Sequence, residues 1–169
     1  MLKKGIYSTT LSIINKDNSL NVEETIKHAE STIQQGLHGV FFFGSTGQSQ
    51  LISTQDKKEL ISTIASHKLK KHFYLGTGCN SLKENSEIIS YAVEYGFNYF
   101  LVMPPAYYKG NTEKGVYNFY EGLIKENPKA KLILYNFEKL SGFKFSVEFV
   151  KKLVDAFPKN IVEIGRAHV

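Results

Sequence analysis

The sequence predicts an α/β fold of the (β/α)8-barrel type, of which this chain would form about five βα units and a sixth strand. Short apolar runs rich in β-formers recur about every thirty residues, and segments with helical periodicity lie between them. Several runs, such as VFFF and YFLVM, are apolar at consecutive positions. That pattern is typical of parallel strands whose two faces are both covered.

The predicted strands are the runs at 6–14, 39–44, 72–78, 98–104, 131–137 and 160–164. The predicted helices span 22–35, 54–66, 82–95, 112–125 and 146–156. Gly36 and Gly96 follow the first and third helices, where a left-handed C-terminal cap favours glycine. The residues expected to cap helix N-termini are Ser53, Ser81, Asn111 and Ser146.

The order of strands and helices is also compatible with a doubly wound sheet. A nucleotide-binding sheet of that kind carries G-x-G-x-x-G after its first strand, whereas here the first strand runs into NKDNSL, which has no glycine. The barrel is therefore favoured, although a complete barrel takes about 250 residues and this chain has 169. We expect residues 1–162 to be the N-terminal part of one barrel domain.

Composition argues against several classes of function. The formal net charge is +5, but the lysines are interspersed with acids and form no basic stripe with aromatics, so we expect no nucleic-acid partner. The single cysteine, Cys79, excludes an internal disulfide and suits the cytoplasm. No run approaches the ~18 apolar residues of a membrane span, the start MLKKGIYSTTLSII is a poor signal peptide, and no ligand spacing indicates a metal site.

Small polar residues and glycines follow the predicted strands, at the ends where barrels carry their chemistry. After the second strand, the hydroxyls of Ser45 and Thr46 and the backbone N–H groups of Thr46 and Gly47 would form a small anion site that suits a carboxylate. A helix-capping turn is the structural alternative. Tyr135 ends the fifth strand and could transfer protons if other hydroxyls lie beside it, or it could simply close the barrel mouth.

Four stretches, GSTGQS, GTGCNS, PPAYYKG and YNFEKLSG, follow strands two to five in this order. Together they resemble the dihydrodipicolinate synthase / N-acetylneuraminate lyase family, up to about Val162. The resemblance implies a full-length homodimer or homotetramer that binds pyruvate, or a 2-oxo acid that releases pyruvate, as a Schiff base on a lysine at the end of strand six. An aldehyde would be the other substrate, and neither a metal nor an organic cofactor is needed.

The resemblance also implies roles for single residues. Ser45 and Thr46, with Gly47, would hold the carboxylate of the 2-oxo acid, and Ser45 would also relay protons. Tyr135 would be the general acid/base next to the imine. Tyr108 would complete the relay, in many members by reaching into the neighbouring subunit's site, with Tyr107 as the alternative.

The chain departs from the family pattern at three other positions. Gln48 and Glu138 stand where the family often has glutamate and proline. Leu140 stands where the dihydrodipicolinate-forming synthases carry an arginine that grips the aldehyde's carboxylate, a contact that leucine cannot make. The adjacent Lys139 would point differently. The sequence therefore favours an N-acetylneuraminate lyase or sugar-acid aldolase over that synthase.

The end of the chain departs most. In register, Gly165 occupies the position of the Schiff-base lysine, and neither Arg166 nor His168 can replace it, because arginine stays protonated and forms no imine. Residues 163–169 are interpreted as a non-native tail: the sequencing adapter AGATCGGAAGAGCACACGTC translates in one frame as IGRAHV, and its first bases would turn a glycine codon into that of Glu163.

Three hypotheses remain open at this stage. The first is a lyase or aldolase whose lysine is missing from this chain. The second is a catalytically dead relative that binds a 2-oxo acid as a sensor or regulator. The third is an α/β structural fragment without a ligand.

Overall fold

The computed structural model describes residues 4–166, with Arg166 described by its backbone alone. Six parallel strands form one sheet in the order β1-β2-β3-β4-β5-β6. The strands are β1 (Tyr7–Thr9), β2 (Gly39–Phe42), β3 (Phe73–Gly76), β4 (Tyr99–Val102), β5 (Lys131–Asn136) and β6 (Ile161–Arg166). The helices are α1 (Val22–Gln34), α2 (Thr54–Ile64), α3 (Leu82–Glu94), α4 (Glu113–Glu126), α5 (Glu138–Ser141) and α6 (Val147–Ala156). The curled sheet is an incomplete (β/α)8 barrel, as predicted.

Side-chain caps begin the longer helices. Ser53, Ser81 and Ser146 each accept a hydrogen bond from a backbone N–H three residues on, as predicted. The fourth helix differs from the prediction. Thr112 Oγ1 accepts from the Gly115 N–H at 3.1 Å, whereas Asn111 donates to the carbonyl of Pro105 at 2.7 Å and so holds the preceding loop.

Two further local differences concern the first and fifth units. Strand β1 is shorter than the predicted run 6–14, because the chain leaves the sheet after Thr9, and Ile14 instead forms an isolated antiparallel bridge with Leu20. The short helix α5 interrupts the predicted loop after β5. It ends at Gly142, whose φ of +67° lies in the left-handed region that glycine adopts without strain.

Side chains alternate between the two faces of the sheet, and each face has its own hydrophobic cluster. Val40 and Phe42 belong to the larger cluster, which the helices cover. The residues between such positions form the smaller one, on the barrel's inner face: Phe41, Leu101, Ile133 and Tyr135. Side chains on the inner face can therefore reach a site at the barrel mouth, whereas those on the other face are covered by the helices.

No helix within residues 4–166 combines the length and the apolar character needed to cross a membrane.

Candidate active site

The loop that follows β2 bends sharply toward the exit of β1. Phe43 has a φ of +60°, a left-handed conformation that is uncommon for a bulky residue and favours sharp turns. A Cβ on Gly44 would lie 2.6 Å from Cγ2 of Thr9, and one on Gly47 would lie 2.8 Å from the carbonyl oxygen of Thr10. Only glycine allows both approaches, so the loop is held close to β1.

The bend brings Ser45 to Tyr135. Their hydroxyl oxygens are 2.7 Å apart, although the residues are 90 positions apart in the chain. Tyr135 is buried within the inner cluster and Ser45 is half-buried. Each hydroxyl can donate one hydrogen and accept others. Whichever donates to its neighbour, the other keeps a hydrogen that it can give to a bound molecule.

Thr46 is paired with a residue that sequence reasoning did not single out. Thr9 Oγ1, at the end of β1, donates to Thr46 Oγ1 at 2.7 Å. Since the Thr46 oxygen accepts this bond, its own hydrogen remains free to donate elsewhere. The feature that could have identified Thr9 as a site residue is its position at the end of β1. This strand is adjacent to β2, and Thr9 pairs there with Phe41.

Gly165 lies directly beside Tyr135. The two residues are partners in the register of β5 and β6. A Cβ built on Gly165 would meet Leu101 Cδ1 at 3.4 Å and Ile133 Cγ2 at 3.6 Å, which are ordinary van der Waals contacts. Both atoms belong to the inner cluster. A side chain at this position would thus enter the inner face next to Tyr135 without a clash at its first carbon.

A cavity of about 440 Å³ opens over the Ser45–Tyr135 pair, and Gly165 is not part of its lining. Ser45 and Tyr135 line it, together with apolar side chains such as Leu101 and Met103. Thr46 and Gly47 are not part of this lining. The hydroxyl pair is thus set in a largely apolar surface, where polar interactions are stronger than in bulk water.

The two neighbouring tyrosines after β4 are placed differently. Tyr107 lines the cavity and Tyr108 does not. Both are largely exposed, and their rings pack edge to face with centroids 5.1 Å apart. Within this chain the geometry therefore associates the alternative residue, Tyr107, with Ser45 and Tyr135, and leaves Tyr108 facing solvent.

A buried lysine that sequence reasoning missed supports the part of the cavity wall formed by Gly78. Lys57, on α2, is only 2% exposed. Its ammonium donates to the carbonyls of Thr77 and Gly78, at 3.0 and 3.3 Å, and lies 3.4 Å from Cys79 Sγ. Burial raises the pKa of the Cys79 thiol, and the nearby Lys57 opposes this rise. Since Gly78 lines the cavity, Lys57 fixes part of the cavity wall.

Comparison with known proteins identifies the family. The pattern of the "Dihydrodipicolinate synthetase family" matches residues 2–168. An N-acetylneuraminate lyase of Escherichia coli is 26% identical over 152 residues, which cover 89% of this chain and 51% of the lyase. The chain therefore spans about half the length of this curated relative.

Solved structures agree in fold. The dihydrodipicolinate synthase of Agrobacterium tumefaciens str. C58 has a TM-score of 0.88 at 22% identity, covering 96% of this chain and 57% of that one. YagE, a prophage protein of E. coli K12 in the dihydrodipicolinic acid synthase family, was solved in complex with pyruvate; it has a TM-score of 0.86 at 27% identity, covering 98% and 55%. The chain thus belongs to the dihydrodipicolinate synthetase family.

Proposed function

We propose that this chain is part of a pyruvate-dependent carbon–carbon lyase or aldolase that acts through a lysine Schiff base on 2-oxo acids. The contact between Ser45 and Tyr135, beside the strand position of Gly165, carries the proposal. The relative solved with pyruvate and the lyase relative support it. With Leu140 in place of arginine, we place the activity nearer N-acetylneuraminate lyase or a sugar-acid aldolase than the synthase.

The proposed chemistry divides the work between the hydroxyls. In the direction of cleavage, the lysine amine condenses with the carbonyl of the 2-oxo acid and releases water, and the protonated imine accepts the electron pair of the C3–C4 bond as that bond breaks, the substrate hydroxyl gives up its proton and the aldehyde leaves. Protonation of the resulting enamine and hydrolysis of the imine then release pyruvate and regenerate the lysine. Thr46 and Ser45 hold the carboxylate, with the backbone of Gly47, and so fix the geometry. Tyr135 moves the proton, and Ser45 relays it.

The outer end of the relay is a proposal with two candidates. Tyr108 reaches into a neighbouring subunit's site in one arrangement, which its exposure permits. Tyr107 acts in the other, which its place in the cavity lining favours. Either arrangement fits a cytoplasmic homodimer or homotetramer of the full-length protein, with a 2-oxo acid and an aldehyde as substrates and no metal or organic cofactor.

A second candidate function rests on Gly165. The carboxylate-binding hydroxyls are present but the imine-forming amine is not. A protein with this exact constellation would bind a 2-oxo acid without turning it over, as a sensor or regulator. Sequencing the genomic DNA beyond codon 162 separates the two functions: a lysine codon at position 165 followed by further strands supports the enzyme, and the same glycine codon supports the sensor.

Trapping with borohydride tests the site itself. The chain and its Gly165→Lys variant are incubated with pyruvate and borohydride, and adducts are mapped by mass spectrometry. We expect one reduced pyruvate at position 165 in the variant and none at that position in the unchanged chain. A specific adduct on another lysine of the unchanged chain would show that the reactive lysine does not belong at position 165.

A binding measurement keeps this test decisive if the variant folds poorly. Pyruvate binding to the unchanged chain is followed by NMR through the ligand's methyl signal, with Ser45→Ala as the comparison. We expect binding that Ser45→Ala weakens. Absence of binding, or binding that Ser45→Ala leaves unchanged, would show that Ser45 is not part of a carboxylate site. Either result would contradict the proposed function.

A further inference from the structure

Lys109 is the only charged side chain among the described residues that line the cavity. It comes from the loop between β4 and α4, whereas the hydroxyls proposed to hold pyruvate come from the β2–α2 loop. We propose that Lys109 selects a second substrate that carries an anionic group, a carboxylate or a phosphate monoester. This inference rests on the proposed function, since it concerns the partner of pyruvate in the same cavity.

The position of the Lys109 ammonium is set by two contacts. Its Nζ donates to the carbonyl oxygen of Leu140, on α5, at 2.5 Å. Its stem crosses Gly142, where an added Cβ would lie 2.5 Å from Lys109 Cδ. Gly142 therefore makes room for the lysine, and the ammonium is held at the rim where Leu140 also lines the cavity.

The charge of Lys109 is not compensated within the described part of the chain. None of the salt bridges among residues 4–166 involves it. An ammonium has three hydrogens to donate, and the bond to Leu140 uses one. Two donors and a full positive charge thus remain at the exposed rim of the cavity that Leu101 and Met103 also line.

The location of this charge indicates which substrate it serves. The carboxylate of pyruvate is assigned to Ser45 and Thr46, which need no cation. A cation on a different loop would be matched by a charged group on the other reactant. A neutral sugar-derived aldehyde would leave the ammonium without a counter-charge. Of the two activities proposed above, Lys109 therefore favours a sugar-acid aldolase whose aldehyde carries a carboxylate or a phosphate.

A purely structural role is the competing explanation: Lys109 could simply tie the β4–α4 loop to α5. Three small, unreactive probes separate the two roles. Butyrate and propyl phosphate carry an anion, and butyramide is a neutral molecule of similar shape. Their dissociation constants are measured by calorimetry in saturating pyruvate, which occupies the proposed carboxylate site, on the unchanged chain and on Lys109→Met, Lys109→Arg and Lys139→Met. Lys139 lies on α5, is exposed and does not line the cavity, so its variant is the matched control.

We expect the unchanged chain to bind at least one anion about three- to tenfold more tightly than butyramide, a difference of ~1 kcal/mol for an exposed cation. Lys109→Met should abolish the difference, whereas Lys109→Arg and Lys139→Met should keep it. Because the lysine is exposed, added salt should reduce the preference. The anion that binds more tightly identifies the group on the substrate.

Two results would overturn the inference. In the first, the anions and butyramide bind equally to the unchanged chain. In the second, Thr46→Val abolishes the preference while Lys109→Met leaves it intact, so that the anions occupy the carboxylate site. Neither result affects the borohydride test at position 165, so failure of the inference and failure of the proposed function are distinguishable.

Discussion

Hydrogen-bonded hydroxyl pairs determine what the β2–α2 loop can do. Thr9 donates to Thr46, and Ser45 is paired with Tyr135. Each pair leaves a hydrogen free, and a donor that itself accepts a hydrogen bond is polarised and donates more strongly. The first pair is thus suited to holding a charge and the second to passing on a proton.

The role of the Thr9–Thr46 pair can be tested on the chain itself. Thr46→Val removes a hydrogen bond to a charged group, worth ~1.5–3 kcal/mol, so pyruvate affinity should fall roughly tenfold to a hundredfold. Thr9→Val removes only the polarising neighbour and should weaken binding less. Calorimetry or NMR titration measures both. Equal affinity in all three proteins would show that Thr46 does not touch the carboxylate.

Tyr135 should affect turnover rather than binding. In an active form of the protein with lysine at position 165, Tyr135→Phe keeps the ring in the inner cluster and deletes the acid. Turnover should fall by ~10²–10⁴, with pyruvate affinity largely retained, and Ser45→Ala should lower both. Steady-state kinetics and borohydride trapping give the two quantities. Near-normal turnover in Tyr135→Phe would leave Tyr135 as a structural plug.

The relay tyrosine can be assigned in the same active form. Tyr107→Phe and Tyr108→Phe are compared in turnover, each variant deleting one hydroxyl while keeping the ring. We expect Tyr107→Phe to lose more activity if the relay stays within one subunit. A larger loss in Tyr108→Phe, together with rescue when it is mixed with subunits carrying Tyr135→Phe, would place the relay across a subunit interface.

Single elements position these groups, and α2 does so through Lys57. Its three contacts join α2 to the β3–α3 loop, so one buried side chain links two βα units. A buried carbonyl that loses its donor is costly, which makes this link more important than a surface contact. Lys58, the next residue, instead forms a partly exposed salt bridge with Glu87.

Neighbouring lysines therefore provide a matched pair for stability. Lys57→Met should lower the free energy of unfolding by about 1–3 kcal/mol, because the buried carbonyl of Thr77 and the half-buried carbonyl of Gly78 lose their donor. Lys58→Met should have a distinctly smaller effect. Urea denaturation followed by circular dichroism measures both. Equal effects would mean that water or another group replaces Lys57 at the carbonyls of Thr77 and Gly78.

Cys79 reports on the same link through its reactivity. The thiolate is the reactive form, and burial raises the thiol pKa above its ordinary value of 9.0. At a given pH below that value, the native chain should thus contain less thiolate than the unfolded chain. The midpoint of the alkylation rate against pH should be higher in buffer than in urea. A native midpoint below the unfolded one would show that Lys57 outweighs burial.

Sequence patterns predicted the regular elements well, because strands and long helices have strong periodicity. Helix α5 was missed, since the four residues EKLS are too short to show a helical repeat. The burial of Lys57 was missed as well, because its acceptors lie in the next βα unit. Ser45 and Tyr135 could be assigned to one site because both lie at the C-terminal ends of barrel strands. The choice between Tyr107 and Tyr108 depends instead on the loop's backbone conformation.

On the scale of the whole molecule, the described sheet has two open edges, β1 and β6. The inner cluster of Phe41, Leu101, Ile133 and Tyr135 faces a barrel interior that six strands only partly enclose. Unpaired edge strands invite pairing with other chains. The larger cluster, in contrast, is covered by helices of the described chain.

We therefore expect the chain, expressed alone, to self-associate or to show a loosely packed inner face. Sedimentation velocity, near-ultraviolet circular dichroism and binding of a hydrophobic dye measure these properties. Far-ultraviolet circular dichroism should still report native-like helix, because the helices pack on the larger cluster and not on the open inner face. A monomer that melts sharply and binds no dye would contradict this expectation.

The strictly consecutive strand order also bears on how the chain reaches its structure. Every strand after β1 pairs with the strand that directly precedes it in sequence, across one α-helix or, between β5 and β6, across α5 and α6. Parallel pairing over such a separation is slower than the formation of a local helix, but each pairing needs no residue from later in the chain. Each unit can therefore dock on the previous one while later residues are still being synthesised, N-terminal units first. On this route β5 joins the sheet before β6, so Tyr135 is already in position when residue 165 pairs with it.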